Sequence, residues 1–199
     1  MEFRIFTDGG SFKNTNEKSG FDGSAAFIIY ENDDLIAEES FFLKGKTNNF
    51  SEMFAIGKSI SVLRKYIEEF VVDKSNITVT IITDSQLCQK SLTEWIFGWL
   101  ANAKDGVLYN SKKERVANQE LIMTTRHEMN LLEDIIQRKV FIQHINSHKS
   151  LKDLSKNREK YNKKNGTNLS LEEYKFYHDC NEKCDKLVNE AYKYNFTNT

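Results

Sequence analysis

The sequence predicts an α/β domain, a mixed five-stranded sheet flanked by helices whose first three strands form an antiparallel meander. Three observations predict it. Phe3, Ile5 and Thr7 alternate with Arg4, Phe6 and Asp8, the period of a strand, and Ile77-Thr-Val-Thr-Ile-Ile82 is a β-branched run bounded by Asn76 and Asp84. Between them Ile56, Ile60, Leu63, Ile67 and Phe70 recur at the 4-3-4-3 spacing of one helical face. A helix that separates two strands implies a parallel crossover.

Each element follows in order. The first strand meets Gly9-Gly10, where a turn is expected, so that Asp8 stands at its C-terminal mouth. Lys13 to Gly23 reads as a loop, Ser24 to Tyr30 as a largely apolar strand, Glu31 to Asp34 as a turn and Leu35 to Leu43 as the return strand. The first helix is expected from about Ser51 to Phe70, with Asn49 capping it and Glu52 three residues on in a capping-box arrangement. Ser85 to Trp99 reads as a short helix or helix pair, Ala101 to Asn118 as a protruding loop, Gln119 to Arg138 as a helix and Val140 to Ile145 as the fifth strand. Lys149 to Lys175 is dense in charge, and Glu172 to Tyr194 reads as a final helix. One domain over residues 1–199 is expected, without a repeat or a low-complexity linker.

Composition narrows the function classes. At 199 residues, 39% apolar and 29% charged, the chain is ordinary for a soluble globular protein. Twenty-eight Lys plus Arg against 29 Asp plus Glu exclude a bulk-basic nucleic-acid binder, so any polyanion contact must be a local patch. The three cysteines, Cys88, Cys180 and Cys184, are too few and odd in number for a secreted disulfide framework. Cys180 and Cys184 are four apart on a predicted helix beside His178 and Asp179, which leaves a metal site open but short of paired zinc motifs. The N-terminus reads as a strand rather than a signal peptide, and no apolar run is long enough to span a membrane. A cytoplasmic, monomeric protein with no obligate protein partner is the expectation.

Four acids carry the chemistry. Asp84 ends Ile81-Ile-Thr-Asp84, which repeats the grammar of Ile5-Phe-Thr-Asp8, and parallel neighbouring strands would bring the two carboxylates to one edge. Glu52 opens the intervening helix, and Asp185 lies on the last one. Alone, Glu52 reads as a helix cap and Asp185 as part of a solvated face. Together, four acids near one point would resist joint ionisation and call for a hard cation held through oxygen.

At this point the chain resembles the type 1 ribonuclease H family. The matching stretches are Thr7-Asp-Gly-Gly10, Thr47-Asn-Asn-Phe-Ser-Glu-Met-Phe-Ala55, Thr83-Asp-Ser-Gln-Leu87, Thr93-Glu-Trp-Ile-Phe-Gly-Trp99, His144-Ile-Asn-Ser-His148 and Asn181-Glu-Lys-Cys-Asp-Lys-Leu187, in family order across nearly the whole chain. The resemblance implies a ribonuclease-H-like fold. It implies hydrolysis of the RNA strand of an RNA–DNA hybrid with two Mg²⁺ or Mn²⁺ ions, held with substrate bound by Asp8, Glu52, Asp84 and Asp185. Asp8 would bridge the ions, and Glu52 would approach the ribose 2′-hydroxyl. His148 matches the family histidine that aids proton transfer or product release; on its own it reads as an idle loop residue.

Substrate contacts are implied in the same way. Asn48, Asn49 and Gln86 match minor-groove positions, and Gly9, Gly10, Ser11 and Asn14 match the loop beside the first acid. Thr47 and Asn118 match a DNA-phosphate pocket, Trp95 and Trp99 match aromatics of the DNA channel, and Asn181 falls in the last matching stretch. The i, i+4 tryptophans fit a buried helix face equally well. Lys104, Lys112, Lys113 and Arg115 match the family's basic protrusion, diluted here by Asp105 and Glu114. A charged, family-atypical insertion at about 149–178 reads either as a second nucleic-acid contact, through Lys152, Lys156, Arg158, Lys160, Lys163 and Lys164, or as a solvated excursion. The runner-up function is a non-catalytic nucleic-acid-binding module of the same fold, which the four intact acids disfavour.

Overall fold

Glu2–Lys13 forms β1, the central strand of the sheet, because it is apolar on both faces. Phe3 and Ile5 pack into a cluster on one side, while Phe6 packs into another on the opposite side. The computed structural model describes residues 1–13, 20–146 and 153–197. β2 (Phe21–Glu31) and β3 (Asp34–Leu43) complete an antiparallel meander, and β4 (Thr78–Thr83) and β5 (Phe141–His144) run parallel to β1, giving the order β3-β2-β1-β4-β5. The mixed five-stranded sheet flanked by helices is the architecture the sequence predicts.

Between the strands run α1 (Asn48–Phe70), α2 (Gln86–Lys90), a π-helical turn (Ser91–Trp95), α3 (Ile96–Ala101), α4 (Gln119–Ile136), α5 (Leu154–Asn165) and α6 (Leu171–Thr197). One face of the sheet packs on α1 and α4 through Met53, Ile56, Ile60, Leu63, Met129 and Leu132. The other packs on α5 and α6 through Tyr161, Tyr174, Tyr177, Cys180 and Cys184.

The expected turn at Gly9-Gly10 does not exist. β1 continues through both glycines to Lys13, still paired with β2 as far as Lys13↔Phe21. The reason for glycine lies elsewhere: a Cβ on Gly9 would stand 2.3 Å from the Glu52 backbone N and 2.5 Å from the Ser51 carbonyl carbon. Gly9 lets the N-terminus of α1 sit directly against the strand. What ends at Thr7 is the partnership with β4, whose last pair is Thr7↔Thr83. Asp8 and Asp84 each follow that pair on adjacent parallel strands, about one strand spacing of 4.8 Å apart. The repeated Thr-Asp grammar is thus converted directly into two neighbouring carboxylates.

The start of α1 also departs from expectation. Thr47, not Asn49, is the N-cap residue, and its side chain makes no capping bond. Its carbonyl accepts the Ser51 N–H at 3.0 Å, which places Asn48 and Asn49 inside the first turn. Glu52 is buried rather than turned back as a capping-box partner, because the docked helix end presents it to the sheet edge.

Much of the charged insertion is helical. In α5 Asn157 and Tyr161 are buried, while Gly166 at φ +66° ends the helix in the left-handed conformation that glycine tolerates. Its last residue, Asn165, clasps the edge strand: the His144 N–H donates to Asn165 Oδ1 at 3.1 Å, and Asn165 Nδ2 donates to the His144 carbonyl at 3.1 Å. An amide side chain thereby takes the two backbone bonds that a sixth strand would otherwise make. The i, i+4 pair Cys180 and Cys184 packs into this side of the core. Both thiols are free and buried, Cys184 lies against the Phe6 carbonyl at 3.5 Å, and burial pushes the Cys180 thiol up to about 11.

Candidate active site

Three of the four acids converge. Asp8, Glu52 and Asp84 each offer a carboxylate oxygen, all within 4.8 Å of one another. Asp185 stands outside this triad but lines the same cleft of about 300 Å³, contributed by α6. Gly9, Gly10, Ser11, Asn48 and Asn181 line it too. Asn14 and His148 lie outside the described residues.

The acids sit in an environment that opposes their ionisation. Asp8 is 7% exposed and Glu52 5% exposed. Burial first, then the Asp84 carboxylate, push Asp8 up to about 8, with Asp185 and Glu182 adding to the effect and the Gly9 N–H, which donates to Asp8 Oδ1 at 2.8 Å, opposing it. Burial, then Asp8 and Asp84, hold Glu52 well above the ordinary carboxylate range, and a hydrogen bond from Asn48 pulls the other way.

Glu52 Oε2 and Asp84 Oδ1 are buried without a hydrogen-bond partner among the described residues. Oxygen-only donors, mutual repulsion and two orphaned acceptors together fit a divalent cation of the Mg²⁺ or Mn²⁺ type. Asp8, Glu52 and Asp84 are the residues able to hold it, with Asp185 beside them.

Sequence reasoning missed Asn189 and Glu182. Asn189 lines the cleft and donates to the Asp185 carbonyl at 2.7 Å and to its Oδ1 at 3.3 Å. Its place one helical turn after Asp185 was the available signal.

A second groove adjoins the cleft. Asn49, Trp95, Trp99, Arg115 and Asn118 line it, drawn from α1, the π-helical turn, α3 and the loop before α4. The two indoles lie 6.0 Å apart between ring centroids. Trp95 is 40% exposed, whereas Trp99 packs partly against the aliphatic core, so the pair divides between the two roles open to it. Thr47 and Gln86 are exposed at the N-terminal ends of α1 and α2, and among the described residues neither lines the cleft or the groove.

Comparison with known sequences decides the lineage: the RNase H family profile matches residues 1–165. The chain belongs to the ribonuclease H family. It is accordingly a ribonuclease H, a nuclease of the hydrolase class. The match stops before α6, so Asp185 lies beyond it. Ribonuclease H of Geotalea uraniireducens is 33% identical over 121 residues, covering 61% of this chain and 69% of the relative. Among solved structures, the PFV RNase H domain superposes with a TM-score of 0.63 at 18% identity, over 95% of this chain and 93% of that one. LC11-RNase H1 in complex with an RNA/DNA hybrid superposes with a TM-score of 0.53 at 18% identity, over 95% of each chain. These two likenesses are of fold. No helix among the described residues is long and apolar enough to cross a membrane.

Proposed function

We propose that residues 1–199 form one catalytic domain that hydrolyses the RNA strand of RNA–DNA hybrids, using two divalent cations held by Asp8, Glu52, Asp84 and Asp185. The observation that carries this reading is the convergence of three desolvated carboxylates with two orphaned acceptor oxygens, in a chain of this family. When bound, a pair of Mg²⁺ or Mn²⁺ ions supplies Lewis acidity to the attacking and leaving oxygens of an in-line displacement.

The chain's own residues hold and orient. Asp8, on the central strand, would hold the cations from a fixed position. Asn48 steers the Glu52 carboxylate, which also reaches the ribose 2′-hydroxyl and so distinguishes RNA from DNA. Gly9, Gly10, Ser11 and Asn181 border the path of the RNA backbone, Asn14 is a further substrate contact, and Gln86 meets the minor groove. Trp95, Trp99, Asn49 and Asn118 receive the DNA strand, with Thr47 near its phosphate. His148 assists proton transfer or product release. The three cysteines, free and buried, suit a reducing, cytoplasmic-type compartment.

The test is direct. A labelled hybrid and matched RNA and DNA duplexes are incubated with the protein in Mg²⁺ or Mn²⁺. Cleavage confined to the RNA strand of the hybrid is expected, abolished by EDTA and reduced on the order of 10³-fold by Asp84→Asn. An intact hybrid, or cleavage indifferent to both treatments, would refute the reading.

A further inference from the structure

Two helices grip the edge strand at backbone groups two residues apart. From α2, Gln89 Nε2 donates to the Ile142 carbonyl at 2.8 Å. From α5, Asn165 bonds both backbone groups of His144 at 3.1 Å. Each gripping amide is followed or preceded by a lysine, Lys90 after Gln89 and Lys164 before Asn165, and both lie in the last turns of their helices. Strand geometry separates residues 142 and 144 by only about 6.6 Å, so the helix ends that carry the two lysines meet at one stretch of the edge strand.

They remain uncompensated. Among the described residues no carboxylate forms an ion pair with Lys90 or Lys164. Partial burial, then Lys90, hold the Lys164 ammonium below its ordinary pKa. Two like charges that feel one another, with no ion-paired carboxylate among the described residues, fit an anion able to neutralise both.

The pair also occupies a telling place. The Lys90 ammonium stands 5.9 Å from the Trp95 ring, which lines the groove. His144, clasped beside Lys164, pairs with Thr83, the residue before Asp84. Lys90 therefore stands beside the tryptophan groove, and Lys164 beside the strand end next to Asp84, on the flank that the insertion builds.

We propose that Lys90 and Lys164 form a phosphate-binding site for the backbone of the nucleic-acid duplex, through which the inserted helix α5 extends the substrate footprint beyond the cleft and groove. The inference rests on the hybrid-cleaving reading above. It narrows the contact to one residue of the insertion and its neighbour across β5.

The experiment first checks that the wild-type protein cleaves an RNA–DNA hybrid of about two helical turns. Affinity for that hybrid is then measured across a KCl series, in an Asp84→Asn background that leaves the strand intact. Lys164→Gln and Lys90→Gln are each expected to lower the slope of log Kd against log salt by about 1 and to weaken binding several-fold at low salt. Lys164→Arg should keep the wild-type slope, as should Lys65→Gln, an exposed lysine more than two helical turns beyond Glu52 on α1. If the wild-type protein fails to cleave the hybrid, the functional reading falls and this inference with it. If it cleaves and Lys164→Gln retains the parental slope, the inference alone is overturned.

Discussion

The acid cleft and the tryptophan groove begin at adjacent residues, Asn48 and Asn49, yet they are built from opposite materials. The cleft gathers carboxylates out of water and near one another, so without a cation it opposes folding. The groove gathers indoles and amides around one arginine, Arg115, and rests on the aliphatic core. The contrast shows a division of labour. Where chemistry occurs, the fold accepts repulsion; where a strand is held, it uses ordinary packing with one charged group.

The contrast breaks most sharply at Asp8. Asp8→Asn is expected to lower hybrid cleavage on the order of 10³-fold. The same change should stabilise the metal-free protein by roughly 1–3 kcal/mol at pH 8, a rise of about 3–10 °C in Tm by calorimetry. A fall in Tm would mean that the cleft is not under electrostatic strain.

The pH dependence sharpens the same point. With the folded-state pKa of Asp8 near 8 against an ordinary 3.8, the folded state binds the extra proton between those values. Stability of the metal-free protein should therefore decline as pH rises from about 4 to 8, the opposite of a salt-bridged carboxylate. Mg²⁺ must displace that proton, so its increment in Tm should grow from pH 6 to pH 8.5. Asp8→Asn should flatten both trends, which thermal melts with and without EDTA would reveal.

The smallest effect belongs to the groove. Trp95→Ala should weaken hybrid binding by about 1–2 kcal/mol with little change in Tm, since Trp95 is 40% exposed. Trp99→Ala should weaken binding and also lower Tm, because Trp99 packs against the core. Equal losses of stability in the two variants would erase the distinction between them.

The five strands and the antiparallel meander were legible in the sequence, because strand alternation and the helical face of α1 each bury a continuous stripe; the place of β5 beside β4 was not. The parallel step between β1 and β4 followed from the helix between them, and with it the meeting of Asp8 and Asp84. The role of Gly9 was not legible: an absent Cβ does not say whether the chain turns or another backbone approaches. Nor was the use of Cys180 and Cys184, since i, i+4 is the spacing of ligands and of core residues alike. The groove draws on segments far apart in the chain, around residues 49, 95 and 118, and only tertiary packing joins them. In α5 the few apolar residues are diluted by lysine and asparagine, so its attachment through Tyr161 and Asn165 gives almost no periodic signal.

Gly9 has a wider consequence. The distance between the strand carrying Asp8 and the helix carrying Glu52 is set by an atom that is missing, with the α1 backbone lying where a methyl group would be. Ligand spacing is therefore controlled from a position that has no functional group of its own. Enlarging that one residue would act as a spacer between two carboxylates, altering the diameter of the site while leaving every donor atom in the sequence unchanged.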